Sequence, residues 1–226
     1  MSDYKLYSFD KIPSTQEYAH ELIAKGAAAD KTIILAAAQS AGRGRFRRKW
    51  VSHHGNLYVS FIYKMPERMP TLSYAVACAV AETLISFGLK PQIKWPNDIL
   101  IDSKKIAGIL IEYSKNFVII GIGVNIKSNP TVAENITTKT DNIKPGIEID
   151  AMLSELMKQM DIWKGKIMRG DFESVRARWM DLTTALNSEI LYRNRPGIFC
   201  GISEEGALVL RRGSEYILVL GDEISI

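Results

Sequence analysis

The sequence predicts an α+β protein in two parts, a mixed region over residues 1–182 and a small all-β module over 183–226. Three observations carry this. Apolar runs of strand length, such as Thr32–Ala38, are interspersed with segments whose apolar residues recur every three to four positions. From Thr183 the helical period stops, and short apolar runs are broken by Arg195-Pro196-Gly197, Glu204-Glu205-Gly206 and Arg212-Gly213-Ser214. The 44 residues from 183 to 226 make a unit resembling a small barrel, too short to stand alone, so it is expected to dock on the first part.

The elements follow in order. Ser14-Thr15 precedes a helical face of Tyr18, Ala19, Leu22 and Ile23, closed by Gly26, and both hydroxyl residues suit the N-cap. Thr32–Ala38 and Asn56–Tyr63 are buried strands. Ser73 starts a long helix of small residues that stops at Gly88. Pro91–Trp95 and Asp98–Ile101 are short strands around a turn. Lys105–Tyr113 and Phe117–Ile126 are strands joined by Ser114-Lys115-Asn116. Residues 127–147 are polar and are expected to form a mobile loop. Asp150 caps a helix with Leu153, Leu156, Met157, Met160 and Ile167 on its apolar face, and Asp171 caps another through Phe172, Val175, Trp179 and Leu182.

Composition narrows the class. Apolar residues make up 46% and charged residues 24%, ordinary for a folded water-soluble chain. Lys and Arg number 29 against 25 Asp and Glu, a net charge of +4, with the excess near residues 43–49. That balance suits a small anionic ligand at least as well as DNA. Met1-Ser2-Asp3-Tyr4-Lys5 lacks a signal-peptide core, and no apolar stretch approaches the ~18 residues that span a bilayer. Cys78 and Cys200 have no pairing pattern and read as reduced thiols, so a cytoplasmic protein is expected.

Four segments carry chemistry. Gly42-Arg43-Gly44-Arg45-Phe46-Arg47-Arg48-Lys49-Trp50, preceded by Gln39, follows a buried strand. Its glycines let backbone approach a ligand, its arginines offer bidentate donors for an anion, and its tryptophan is a flat wall. By itself it also fits a solvated or nucleic-acid-binding turn. Lys94-Trp95-Pro96-Asn97-Asp98 also reads as an ordinary turn. Lys104-Lys105-Ile106-Ala107-Gly108 brings a lysine into an apolar strand, which a hairpin end would explain equally. Gly121-Ile122-Gly123-Val124-Asn125 lacks the third glycine and the later acid of a dinucleotide fingerprint, but suits a strand whose glycines admit a ligand. His53-His54 has no partner at metal spacing and reads as solvated. No residue is assigned as a metal ligand.

Taken together, these segments closely resemble the biotin protein ligases. The usual loop of that family reads Gly-Arg-Gly-Arg-x-Gly-Arg-x-Trp, and residues 42–50 match it except that Arg47 replaces the sixth-position glycine. Lys94–Asp98 matches without change, Lys105 falls seven residues after Asp98, and Gly206-Ala207-Leu208 and Gly221-Asp222-Glu223-Ile224-Ser225 also fit. The resemblance implies a mixed sheet with flanking helices, like a class II synthetase, plus a C-terminal SH3-like barrel. It implies the short form, without an N-terminal DNA-binding domain. The implied reaction joins biotin to a carrier-domain lysine through biotinyl-5′-adenylate, with ATP and Mg²⁺. Lys105, Arg45, Lys94 and Asp98 would be catalytic. Ser14, Thr15, Gln16, Gln39, Gly42, Arg43, Gly44, Arg45, Trp50, Lys105 and Gly108 would bind biotin. Arg43, Arg45, Trp50, Lys94, Asn97, Lys105, Gly121 and Asn125 would bind the nucleotide. The expected partner is a biotin carboxyl carrier protein, with no DNA and no membrane, and with a homodimer possible. A lipoate-type ligase, a basic nucleic-acid-binding module and a biotin-binding homologue without activity remain as other readings.

Overall fold

A computed structural model describes residues 4–127, 146–193 and 195–219. The expected loop over 127–147 therefore lies almost wholly outside the described residues, as does the motif Gly221–Ser225. Two compact units emerge: Met1–Arg68 with Lys104–Leu153, and Met69–Ser103 with Ser154–Ile226.

The first unit holds strands β1 (Lys5–Ile12), β2 (Thr32–Gln39), β3 (Leu57–Lys64), β6 (Lys104–Ser114) and β7 (Phe117–Val124), with helix α1 (Thr15–Ala24). Their order is β1-β2-β3-β7-β6. β1 runs parallel to β2, and the other pairs are antiparallel, so the sheet is mixed as expected. Strand β1 was not foreseen: it is an edge strand whose side chains are mostly exposed, so it lacks the apolar run that marks a buried strand. Ser14 caps α1 by accepting from Glu17 N at 3.4 Å. The helix lays Ala19, Leu22 and Ile23 on Ile34, Ile62 and Ile119 of the sheet.

The second unit contains α2 (Leu72–Ser86), the hairpin β4 (Gln92–Lys94) and β5 (Asp98–Ile101), most of α3 (Ile149–Met168), and α4 (Phe172–Leu182). It ends in β8 (Glu189–Tyr192), β9 (Arg195–Ile202), β10 (Leu208–Arg212) and β11 (Glu215–Val219). These four form an antiparallel sheet in the order β11-β10-β9-β8, consistent with the small SH3-like module expected. Arg195-Pro196-Gly197 is not a break. It opens β9, and the chain turns at Arg193, whose φ is +51°. Pro196 is tolerated there because it pairs near the end of the short outer strand β8. Helix α2 is buried nearly all round, which its alanines permit, and Gly88 stops it at φ +75°. Asp171 caps α4 by accepting from Ser174 N at 3.2 Å, while Asp150 falls inside the first turn of α3. Cys78 is buried and Cys200 half-buried, both as free thiols. No helix among the described residues is long and apolar enough to cross a membrane.

Candidate active site

In the first unit, β6 and β7 place Gly108 opposite Gly123. The Trp50 indole rests on both. A Cβ on Gly108 would stand 2.9 Å from Trp50 Cζ3, and one on Gly123 would stand 2.6 Å from Nε1. Two residues earlier on the same face of β7, Gly121 lies under Gln16, whose Oε1 would be 2.6 Å from an added Cβ. Asn125 continues that face past the strand end. Its side chain is fully buried, and neither amide atom has a hydrogen-bond partner among the described residues. A buried amide left unpaired costs roughly 1–3 kcal/mol, so this is a place where a ligand would be accepted.

Polar groups meet at the Gly121 end. Gln39 Oε1 accepts from Thr15 N at 2.8 Å and from Thr15 Oγ1 at 3.2 Å. Ser60, buried in the middle of β3, reaches Thr15 Oγ1 at 2.9 Å and Gln16 Oε1 at 3.0 Å. At the Asn125 end Lys105 lies with Nζ 5.2 Å from the Trp50 ring centroid. The slot thus has a flat apolar middle, uncharged hydrogen-bonding groups at one end and a cation at the other. It suits a flat ring with a polar head and an anionic tail.

The arginine loop is a narrow ribbon. Trp50 N donates to Gly42 O at 2.9 Å, and Gly44 N to Arg48 O at 2.8 Å. Its tip turns through Arg45–Arg47 with Phe46 at φ +54° and Arg47 at φ +59°. The position where the family pattern has glycine is left-handed here, and arginine occupies it at a cost of about 1 kcal/mol. Gly44 is extended, with φ −115° and ψ −174°. Arg45 lies 5.0 Å from the Phe46 ring centroid. Arg43 is held by Glu112 at 2.9 Å, and His20 Nε2 meets the other carboxylate oxygen at 3.0 Å. Burial pushes the Glu112 carboxyl up, but hydrogen bonds from His20 and Gln16 and the charge of Arg43 outweigh it and hold it below its ordinary value.

The second unit carries Lys94, Asn97 and Asp98 on one hairpin, Lys94 opposite Asp98 and Asn97 in the turn. Trp95 Nε1 donates to Tyr74 Oη at 3.2 Å, and Tyr74 donates to Gly206 O at 2.8 Å. Burial pushes the Tyr74 hydroxyl up to about 12, so it keeps the proton this link needs. Gly206 thus ties the turn between β9 and β10 to the hairpin motif through α2.

The structure therefore gathers Thr15, Gln16, Gln39, Gly42, Trp50, Lys105, Gly108 and Gly121 around one slot of the first unit. Sequence reasoning missed Ser52, Ser60 and Glu112 as residues of that neighbourhood. For Ser60 the signal was present, a hydroxyl in the middle of the apolar run Leu57–Tyr63. His53 and His54 are exposed, as expected. No group of three or more metal-binding side chains occurs among the described residues.

A fold and site of this kind are those of a ligase domain that holds a small acid. The chain belongs to the biotin/lipoate A/B protein ligase family, whose model matches residues 8–127. It is 33% identical to the bifunctional ligase/repressor BirA of Bacillus spizizenii over 230 residues, covering 93% of this chain and 70% of that one. It is 30% identical to the biotin--[acetyl-CoA-carboxylase] ligase of Paracoccus denitrificans, covering 79% of this chain and 83% of that one. Its structure is similar to that of the Aquifex aeolicus biotin protein ligase in complex with biotin and ATP, with a TM-score of 0.86, 26% identity, and 98% and 97% of the two chains covered.

Proposed function

We propose that the protein ligates biotin to a lysine of a biotin carboxyl carrier domain, using MgATP. The observation that carries this reading is the slot of the first unit, with Trp50 on its two glycines, the Thr15–Gln39 pair at one end and Lys105 at the other. A ureido head matches the uncharged polar end, a fused ring and valeryl chain the apolar middle, and a carboxylate the cation. The names of the relatives support the same substrates and a carboxylase acceptor.

In the first step a biotin carboxylate oxygen attacks the α-phosphorus of ATP, and the bond to pyrophosphate breaks. Both reactants are anions, so cations must screen the approach. Lys105, Arg45 and Lys94 have that role, and magnesium brought with ATP would add to the screening of the phosphate charge. Asn125 reads the adenine edge through its side-chain amide, Gly121 and Asn97 also serve the nucleotide, and Ser14, Thr15, Gln16, Gln39 and the backbone of Gly42–Gly44 hold the ureido end. In the second step the neutral acceptor amine attacks the acyl carbon, the bond to AMP breaks, and the amine loses a proton. Asp98 orients that amine or Lys105. The partner is a carrier domain and not DNA, and the protein works in the cytoplasm, alone or as a homodimer.

Calorimetry with biotin, lipoate and a duplex oligonucleotide, each with and without MgATP, tests the reading. Biotin alone should bind, and biotin with MgATP should release pyrophosphate. Preferential lipoate binding, or oligonucleotide binding without biotin binding, would overturn it. Lys105→Ala should slow pyrophosphate release roughly 30- to 1000-fold, the loss of one charged contact in a dry site.

A further inference from the structure

Ser52 is buried, with 6% of its surface exposed, and sits two residues beyond the arginine loop. Its hydroxyl donates to Trp50 O at 3.0 Å, at the neck where Trp50 N meets Gly42 O. A hydroxyl has one proton, and here the neck takes it. The Ser52 oxygen is then left to accept, and Gln39 Nε2 donates to it at 2.9 Å. At the other end of the same amide, Oε1 takes the two donors of Thr15. Both ends of Gln39 are thereby fixed, with one N–H of Nε2 remaining for a ligand acceptor. The same neck is packed to its limit: an added Cβ on Gly42 would lie 2.4 Å from Trp50 O, 2.6 Å from Ser52 Oγ and 3.0 Å from Gln39 Nε2. Backbone pairing continues the link, with Gln39 N donating to Ser52 O at 3.2 Å.

We infer that Ser52 is a positioning residue that couples the neck of the arginine loop to the Gln39 amide, so that loop placement and recognition of the ligand's polar head depend on one another. The inference rests on the reading of the slot as a biotin site. Ser52 itself touches no substrate. It acts because a fixed Gln39 loses no side-chain freedom on binding. A core serine that merely satisfied its own hydrogen bonds would have no such reach.

The test is calorimetry with biotin on the full chain, for wild type, Ser52→Ala, Gln39→Ala and the double variant, together with thermal melts and the KM for ATP at saturating biotin. Ser52→Ala should weaken biotin binding about tenfold, the scale of one lost hydrogen bond at a buried polar group. The KM for ATP should stay within twofold. In the Gln39→Ala background, Ser52→Ala should cost less than about twofold, because the route through Gln39 is already cut. Equal losses in both backgrounds, or a parallel rise in both substrate constants, would mean a general structural role and overturn the inference. So would unchanged biotin affinity in Ser52→Ala. If wild type itself fails to bind biotin, the reading of the slot fails, a result distinct from any of these.

Discussion

Gly108 and Gly123 face each other across β6 and β7 with no side chain between them, and the Trp50 indole lies where their side chains would be. Strand interiors favour β-branched and aromatic residues, and a glycine there weakens the strand. Two glycines in register, under one ring, mark a place where the sheet surface is kept bare for a flat group to approach.

Gly123→Ala should therefore act on the slot and not on the fold. The added methyl would meet Nε1, Cε2 and Cζ2 of Trp50 at 2.6, 2.7 and 2.9 Å, so the indole must move. Overpacking of this kind costs about 1–3 kcal/mol, and biotin affinity should fall by roughly 10- to 100-fold. Tryptophan fluorescence and biotin titration read both effects. An unshifted emission spectrum with wild-type affinity would mean that Trp50 is not seated on the glycine pair.

The loop tip makes a different demand. Arg47 has φ +59°, a conformation that costs an arginine about 1 kcal/mol and a β-branched residue considerably more. Arg47→Gly should leave loop order and ligand retention within about threefold of wild type, since relieved strain is offset by glycine's greater freedom when unfolded. Arg47→Val should open the turn. Amide exchange of residues 43–49, measured with biotin and MgATP, should rise for the valine variant alone. Equal exchange in both variants would show that the turn does not require the left-handed geometry.

Much of this was legible in the sequence because it is written in local residue order. Ser14 as a cap, Gly26 and Gly88 as stops, the Asp171 cap and the long apolar strands each depend on neighbours a few residues away. The exposed strand β1 was not legible, because it is made by pairing with β2 and not by its own pattern. The site divides the same way. Lys105, Trp50 and the glycines stand out only when their segments are taken together as a resemblance to the biotin protein ligase pattern. Ser52, Ser60 and Glu112 matter through contacts to residues 13, 45 and 69 positions away, which no local pattern reports.

Glu112 gives the loop a pH dependence of definite sign. Its carboxyl is held below the ordinary value of 4.5, so it is charged and holds Arg43 throughout the neutral range. A depressed carboxylate contributes stability that is present above its unfolded pKa and lost as pH falls through the folded one. Loop anchoring should therefore fail only below pH 4.5. In Glu112→Gln that acidic loss should disappear, and loop protection at pH 7 should fall by no more than about fivefold, as expected for a partly exposed pair. Amide exchange of residues 43–49 against pH reads both. An acidic limb identical in the variant would assign the transition to another group.

Arg45 should separate making the intermediate from keeping it. It stands at the tip of the ribbon, in the turn that begins the left-handed pair Phe46 and Arg47, with Phe46 5.0 Å away. A guanidinium there can grip the adenylate phosphate with two parallel donors. On the proposed reading Lys105, Lys94 and the charge brought with MgATP would still screen the reacting anions in the first step, so formation of the adenylate should need Arg45 less than retention does. In Arg45→Gly the turn also loses a side chain beside Gly44 and gains freedom. The variant should form biotinyl-adenylate within about threefold of the wild-type rate but release it roughly 10- to 100-fold faster, the worth of one charge-assisted contact. Released adenylate acylates accessible lysines on any protein. Incubating the variant with biotin, MgATP and a bystander that has no carrier domain should therefore leave biotin on the bystander. Labelling confined to a true carrier, with the adenylate retained as in wild type, would show that Arg45 is not the latch.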